Sequence, residues 1–352
     1  MSVVATLAPT VPTMLTSSTG GRPAELSPEL SLKIYSLMLR TRVLEERLIT
    51  MYKQGDGFFW IGGPGEEAFN VPLGLLVDKG QGVDHDYLHL HYRSTGTLLA
   101  MGGDPVDSLR QMKNTATDPY SRGRNFAGHF SVRKWNIAPV SSPIEVQFSI
   151  AIGTARAQRA GTGAKGITIV QGGDAGTAEG DFATALVWCS RKGAELPLLM
   201  IVANNRYGIS TPFAGQHGYD QIAERGKAFG IRTAIVDGND PAASYAALQE
   251  AMDYVRTERK PYLLEAMVSR LRGHSSASGA NPVRNEIDCV ERFEQELEAR
   301  GLLTREQMDR TREAYTQELL DASKAVRDEP QPDPASIWDH VFADKNYVGG
   351  EG

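Results

Sequence analysis

The chain predicts an α/β protein: a parallel sheet with helices on both faces, extended by helical segments at its N-terminal and C-terminal ends. Three features carry that prediction. From about residue 150 onward, short apolar or β-branched runs alternate with helical patterns, the β-α-β-α-β rhythm of a parallel sheet. One of those runs, Leu196 to Ala203, is apolar almost without interruption, as a strand buried on both faces requires. Charged, helically periodic stretches lie at either end, one from Ser27 to Lys53 and one from about Asn285 to Ala325.

Taken in order, residues 1–26 form an arm rich in Ser, Thr and Pro whose one basic residue is Arg22. It lacks the basic start and apolar core of a secretory signal, and is expected to be flexible or to pack on a partner chain. Ser27 to Lys53 reads as one long helix, with Leu32, Ile34, Tyr35, Leu37, Met38, Val43, Leu44, Leu48 and Met51 near helical spacing. Residues 55–135 are rich in Gly, His and aromatic residues and are expected to be irregular, in the manner of binding loops on a rigid frame. A small-residue helix follows from Ile150 to Ala160, then a strand from Gly166 to Val170. A helix from Glu179 to Arg191 places Phe182, Ala185, Leu186 and Cys189 on one face. Beyond the strand at Leu196 to Ala203, another strand is expected at Arg232 to Val236. Asp237-Gly238-Asn239-Asp240 is a turn with a helix N-cap signal, leading into a helix from Ala242 to Arg256. A last strand runs from Tyr262 to Val268. Residues 27–330 are read as a single domain and 331–352 as a C-terminal tail.

The chain's 352 residues suffice for one large α/β domain or two ordinary ones, and 41% hydrophobic residues is ordinary for a folded protein. A net charge of -6 gives no global attraction to nucleic acid or an anionic membrane. No apolar run approaches the ~20 residues of a membrane span. Cys189 and Cys289 stand far apart, so neither a disulfide framework nor a zinc site is indicated; a reducing compartment fits, the cytoplasm or, in a eukaryote, the mitochondrial matrix.

The segment from Gly173 to Tyr207 carries the chemistry. Asp174 sits in a glycine-rich turn after one expected strand, and Asn204-Asn205 ends the next. Ligands of parallel α/β sheets bind beyond the C-terminal strand ends, so neighbouring strands would place Asp174 and Asn205 across one crevice. Carboxylate, amide and carbonyl oxygens are hard ligands suited to magnesium and a phosphate it carries. Gly172, Gly173 and Gly176 permit close backbone approach to a phosphate, and the following helix N-terminus near Ala178-Glu179 adds favourable dipole charge. The layout points to thiamine diphosphate. The plainer alternative is an ordinary strand-to-helix turn capped by Asp174. No Gly-x-Gly-x-x-Gly opens a helix after a first strand, which argues against a nicotinamide-dependent oxidoreductase.

On these residues, over roughly positions 30 to 320, the chain resembles the alpha subunit of the thiamine-diphosphate-dependent decarboxylating component of 2-oxo acid dehydrogenase complexes, in its branched-chain (2-oxoisovalerate) form. The resemblance implies Asp174 and Asn205 as side-chain magnesium ligands and a backbone carbonyl from Tyr207. It places Gly173, Ala175 and Gly176 in the cofactor turn, with Ala175 where Gly is usual. Tyr92-Arg93 corresponds to a pair that grips the diphosphate, a role suited to a planar guanidinium. In Ser141-Ser142-Pro143-Ile144-Glu145-Val146-Gln147, the resemblance implies cofactor contacts from Ser142 and Ile144. The same segment can hold potassium, with Val146 standing where a Thr ligand is expected. His129 and His274 correspond to active-site histidines, and His274 also to a cofactor contact. After Ser275 the run Ser276-Ala277-Ser278-Gly279-Ala280 replaces the acidic residues usual in branched-chain members. Phe58 to Glu67 corresponds to a substrate-side segment, with a plain core segment the alternative. His89 and His91 are read as satisfied loop histidines, and His217, His340 and Cys189 as structural.

The resemblance further implies oxidative decarboxylation of a branched-chain 2-oxo acid and reductive acylation of a lipoyl group on an acyltransferase component. No second sheet domain supplies the Glu that binds the cofactor's aminopyrimidine, so that residue is expected on a beta subunit in an α2β2 heterotetramer. Pyruvate and acetoin dehydrogenase alpha subunits are the alternatives within the family. A non-catalytic partner-binding relative is disfavoured by intact Asp174, Asn205, Arg93 and His274.

Overall fold

A computed structural model describes residues 25–161, 163–339 and 341. The expectations for residues 1–24, for His340 and for residues 342–352 lie outside the described residues.

The chain opens with α1 (Pro28–Lys53), capped by the Ser27 hydroxyl, which accepts from Leu30 N–H at 3.2 Å, with proline at the first turn. The stretch expected to be irregular holds α2 (Glu67–Leu76), β1 (Tyr87–His89), α3 (Thr95–Ala100), α4 (Pro105–Lys113) and a short 3-10 turn at Arg133–Trp135. They escape a periodicity reading for physical reasons. α2 is buried on nearly every side and so has no polar face, and β1 is three residues long. α5 (Val146–Ala160) starts four residues before its expected position. β2 (Thr168–Gly173) runs through the glycines, because Gly172 and Gly173 keep parallel register with Val202 and Ala203. Asp174 is therefore the first residue beyond the strand. α6 (Gly180–Cys189) buries the expected Phe182, Ala185, Leu186 and Cys189. β3 (Leu198–Asn204) is followed by a small hairpin of β4 (Tyr207–Gly208) and β5 (Thr211–Pro212), and then by α7 (Glu224–Lys227). β6 (Arg232–Asp237) leads into α8 (Pro241–Glu258). The Asp240 carboxylate accepts from Ala242 and Ala243 N–H at 2.9 and 3.1 Å, as its N-cap pattern predicts. β7 (Tyr262–Met267), α9 (Cys289–Ala299) and α10 (Arg305–Arg327) complete the chain.

Five strands form one all-parallel sheet in the order β1-β2-β3-β7-β6. β3 lies at its centre, and Leu198, Leu199, Met200, Ile201 and Val202 are fully buried. Its alternate residues serve opposite faces. Leu198, Met200 and Val202 pack with Phe148 and Ala151 of α5 and Phe182 and Leu186 of α6. Leu199, Ile201 and Ala203 pack with Phe69 and Leu73 of α2 and Leu248, Met252 and Val255 of α8. Each such Val, Leu, Ile, Met or Phe side chain contributes roughly 1.5–3 kcal/mol by leaving water. A third cluster joins α1 to α9 and α10, through Ile34, Met38, Leu44, Phe293, Leu297 and Leu319. The N-terminal and C-terminal helical extensions are thus one packed layer.

Candidate functional site

Because β1, β2, β3 and β7 are neighbours and parallel, the segments after them leave the sheet at one edge. Those segments carry Tyr92-Arg93, Asp174, Asn205-Tyr207 and His274, four predicted groups drawn to one place by topology.

The Tyr92-Arg93 loop is held by a buried polar chain. Ser94 hydroxyl donates to Gln171 Oε1 at 2.7 Å, Gln171 Nε2 donates to Asn70 Oδ1 at 3.0 Å, and Asn70 Nδ2 donates to the Arg93 carbonyl at 3.2 Å. Gly128, at φ +85°, passes so close that an added Cβ would stand 2.7 Å from the Tyr92 carbonyl. That approach seats His129 against Tyr92, ring centroids 6.1 Å apart and stacked, while the His274 ring meets Tyr92 edge-on at 6.2 Å. Arg93 is buried, donates to the Gly62 carbonyl, and reaches His274 Nδ1 at 3.2 Å and the His274 carbonyl at 3.3 Å.

These contacts fix the histidines chemically. A guanidinium only donates, so His274 Nδ1 accepts and its proton sits on Nε2. Burial, then the charges of Arg93 and Arg270, hold His274 down at about 4, so the ring is neutral near pH 7. His129 Nδ1 lies 3.3 Å from the Ala127 carbonyl, which only accepts, so His129 carries its proton on Nδ1 and leaves Nε2 as an acceptor. Burial lowers the His129 pKa as well. The pair offers one donor and one acceptor.

Asp174 is almost fully buried and its Oδ2 has no hydrogen-bond partner. Burial pushes its carboxyl up to about 6, against the opposing pull of the Asp174, Ala175 and Asn205 N–H groups and the Arg93 charge. An orphaned buried carboxylate oxygen beside a buried amide fits a hard cation. Asn205 Oδ1 accepts from Tyr207 N–H at 3.1 Å, which folds the loop and places Tyr207 beside Asn205. Gly173 borders open space: an added Cβ would meet only His91 Nε2, at 4.0 Å.

Other predicted residues sit differently. Ser142 and Ile144 are exposed just before α5, with Ile144 at 46%. Their segment is tied to β2 through Gln147 Nε2, which donates to the Gln171 carbonyl at 3.1 Å. The space beside Gly172 and Gly176, expected to admit a phosphate, is filled by the Glu145 carboxyl. Of the substrate-side segment, Phe58 is 62% exposed, whereas Trp60 is fully buried and donates from Nε1 to Glu45 Oε2 at 2.7 Å. His89 is satisfied by Thr154 Oγ1 at 3.0 Å. His91 is not: its Nδ1 is buried without a partner and its ring stands 3.8 Å from Tyr92, because the loop turns it toward the strand ends.

Sequence reasoning gave no role to three charged residues here. Glu66 lies 3.9 Å from Arg93 Nε, and burial pushes it up to about 8. Glu145 is buried at φ 63°, with Oε1 unpartnered and its carboxyl pushed well above the ordinary range by burial. Arg270 stands four residues before His274 in the same post-strand loop, a position that could have drawn attention to it.

A family model described as dehydrogenase E1 component matches residues 35–335. The chain is 29% identical over 331 residues to the 2-oxoisovalerate dehydrogenase subunit alpha of Bacillus subtilis (strain 168), a match covering 90% of this chain and 97% of that protein. It is 28% identical over 333 residues to the mitochondrial 2-oxoisovalerate dehydrogenase subunit alpha 2 of Arabidopsis thaliana, covering 92% and 69%. Against the mitochondrial subunit alpha of Caenorhabditis elegans it is 32% identical over 257 residues, covering 73% and 58%.

Proposed function

The chain belongs to the dehydrogenase E1 component family, and from that premise we propose that it is the alpha subunit of a branched-chain 2-oxo acid dehydrogenase. It acts with a beta subunit in an α2β2 assembly to decarboxylate 2-oxoisovalerate-type substrates and acylate a lipoyl group on an acyltransferase component. The observation that carries this reading is the convergence of Tyr92-Arg93, Asp174, Asn205 and His274 on one sheet edge.

When bound, thiamine diphosphate supplies the electron sink for decarboxylation of a 2-oxo acid; the protein's part is to bind and orient. The Asp174 carboxylate, the Asn205 amide oxygen and the Tyr207 carbonyl would hold magnesium, whose charge would bring Asp174 back toward an ionised carboxylate. Arg93 and Tyr92 would hold the diphosphate, with Gly173 and Ala175 on the open side of the turn and Gly176 packed against Glu145 behind it. Ser142 and Ile144, exposed in the single chain, would meet the cofactor where the partner chain closes over the segment. No separate observation favours potassium in that segment, and Val146 stands against it. His274, neutral with Nε2–H outward, suits donation to a developing oxyanion, and His129, with Nε2 free, suits accepting a proton.

A partner is also supported by the exposed apolar side chains of α5 and α6, where Ile150, Val187 and Trp188 are 54%, 49% and 41% exposed. The test is to co-express the chain with its beta-type partner and compare 2-oxoisovalerate, pyruvate and acetoin as substrates. Fastest turnover of 2-oxoisovalerate, dependent on the partner, is expected. Full activity of the chain alone, or a preference for pyruvate or acetoin, would overturn the reading.

A further inference from the structure

We propose that Arg270 is a second arginine for the diphosphate, facing Arg93 across the site; this rests on the cofactor reading above. Beyond β7, Val268 N–H donates to the Asn204 carbonyl at 3.0 Å, so the chain stays in register with β3 for one residue more. Arg270 therefore leaves the sheet beside Asn205 and Tyr207. Its guanidinium lies 4.9 Å from the Tyr207 ring centroid. The residue is only 7% exposed, yet Nε and Nη1 are buried with no hydrogen-bond partner.

The charges that face it are Arg93, Asp174 and Glu286. Among the described residues no carboxylate forms an ion pair with it, and no side-chain or backbone acceptor meets its Nε or Nη1. The contact with the Tyr207 ring satisfies no donor, so Nε–H and Nη1–H stay unmatched. Two buried cations near one another, with donors unpaired on one of them, form an arrangement that an oxyanion stabilises. A phosphoryl group fits best, since two of its oxygens match the planar fork of an arginine. Arg93 already spends donors on the Gly62 carbonyl and His274, so Arg270 holds donors that Arg93 has committed elsewhere.

The test uses the full chain co-expressed with its beta-type partner. Magnesium pyrophosphate and thiamine diphosphate are titrated calorimetrically into wild type, Arg270→Gln and Arg270→Lys. The Gln variant is expected to bind both ligands about 10- to 100-fold more weakly, the loss of one or two charge-assisted bonds, and the Lys variant to lose less. Without ligand, the thermal midpoint of Arg270→Gln should equal or exceed that of wild type, since an unpaired buried charge is removed. Wild-type pyrophosphate affinity in Arg270→Gln would overturn the proposal, as would a raised KM for the 2-oxo acid with both affinities unchanged, which assigns the arginine to the substrate carboxylate. A lowered ligand-free midpoint with unaltered pyrophosphate binding in Arg270→Lys would make the residue structural. If wild type binds pyrophosphate through Arg270 but takes no thiamine diphosphate, the inference stands and the cofactor reading falls.

Discussion

Asp174 shows how a single residue links stability to function. Its Oδ2 is buried without a partner and its carboxyl is pushed up to about 6 by burial, so the ligand-free protein carries a destabilising group at the position proposed to hold magnesium. Asp174→Ala is expected to abolish magnesium-dependent binding of thiamine diphosphate while leaving the ligand-free thermal midpoint no lower than wild type. Retained cofactor affinity in a calorimetric titration would refute the metal role. His89 has the opposite character. It is satisfied by Thr154, and burial lowers its pKa from 6.5 to about 4. Between those values the unfolded chain binds a proton that the folded chain refuses, so the contribution of a neutral His89 is present above pH 6.5 and is lost as pH falls toward 4. Wild type should therefore lose about 2 kcal/mol relative to His89→Gln between pH 7 and pH 5. Urea unfolding at both pH values measures this, and an unchanged gap between the two proteins would refute it.

At the scale of elements, the edge strand β1 is held by charge as well as by pairing. Asp86, fully buried before the strand, accepts from Arg256 of α8 at 2.8 and 2.6 Å and from the N–H groups of Ile167 and Asp78 at 3.1 and 2.9 Å. Asp86→Ala strands the Arg256 charge and frees two backbone donors, and should cost about 3–5 kcal/mol in chemical denaturation. A loss under 1 kcal/mol would show that the pair contributes little. Since β1 leads directly into Tyr92-Arg93, the same variant is expected to weaken cofactor binding. Helix signals with local causes were legible in the chain: the Asp240 N-cap, the apolar stripe of α1 and the buried face of α6 all follow from spacing and capping chemistry. Residues 67–113 were not, because α2 owes its helix to being surrounded by other elements and β1 to a neighbouring strand.

For the whole molecule, one sheet edge gathers Tyr92-Arg93, Asp174, Asn205 and His274, while Ile144 before α5, Ile150 of α5 and Val187 and Trp188 of α6 remain exposed. Such a surface fits a permanent partner better than an isolated chain. Light scattering of the chain co-purified with its beta-type subunit should give the mass of two copies of each; separate elution of the two chains would contradict an obligate assembly. Among the described residues no helix is long and apolar enough to cross a membrane.

The sequence by itself determined the parallel α/β class, the strand-end positions of Asp174 and Asn205 and the candidacy of Tyr92, Arg93, His129 and His274, since strand periodicity, capping and residue chemistry are properties of short segments. Only the tertiary structure decided which strands are neighbours. That order sets Arg93 against His274, fills the space beside Gly172 and Gly176 with Glu145, leaves His91 Nδ1 and Asp174 Oδ2 unpartnered, and brings Arg270 to the same edge. The physical reason is that burial and pairing are made by residues far apart in the chain, and a buried polar atom acquires its meaning from what surrounds it.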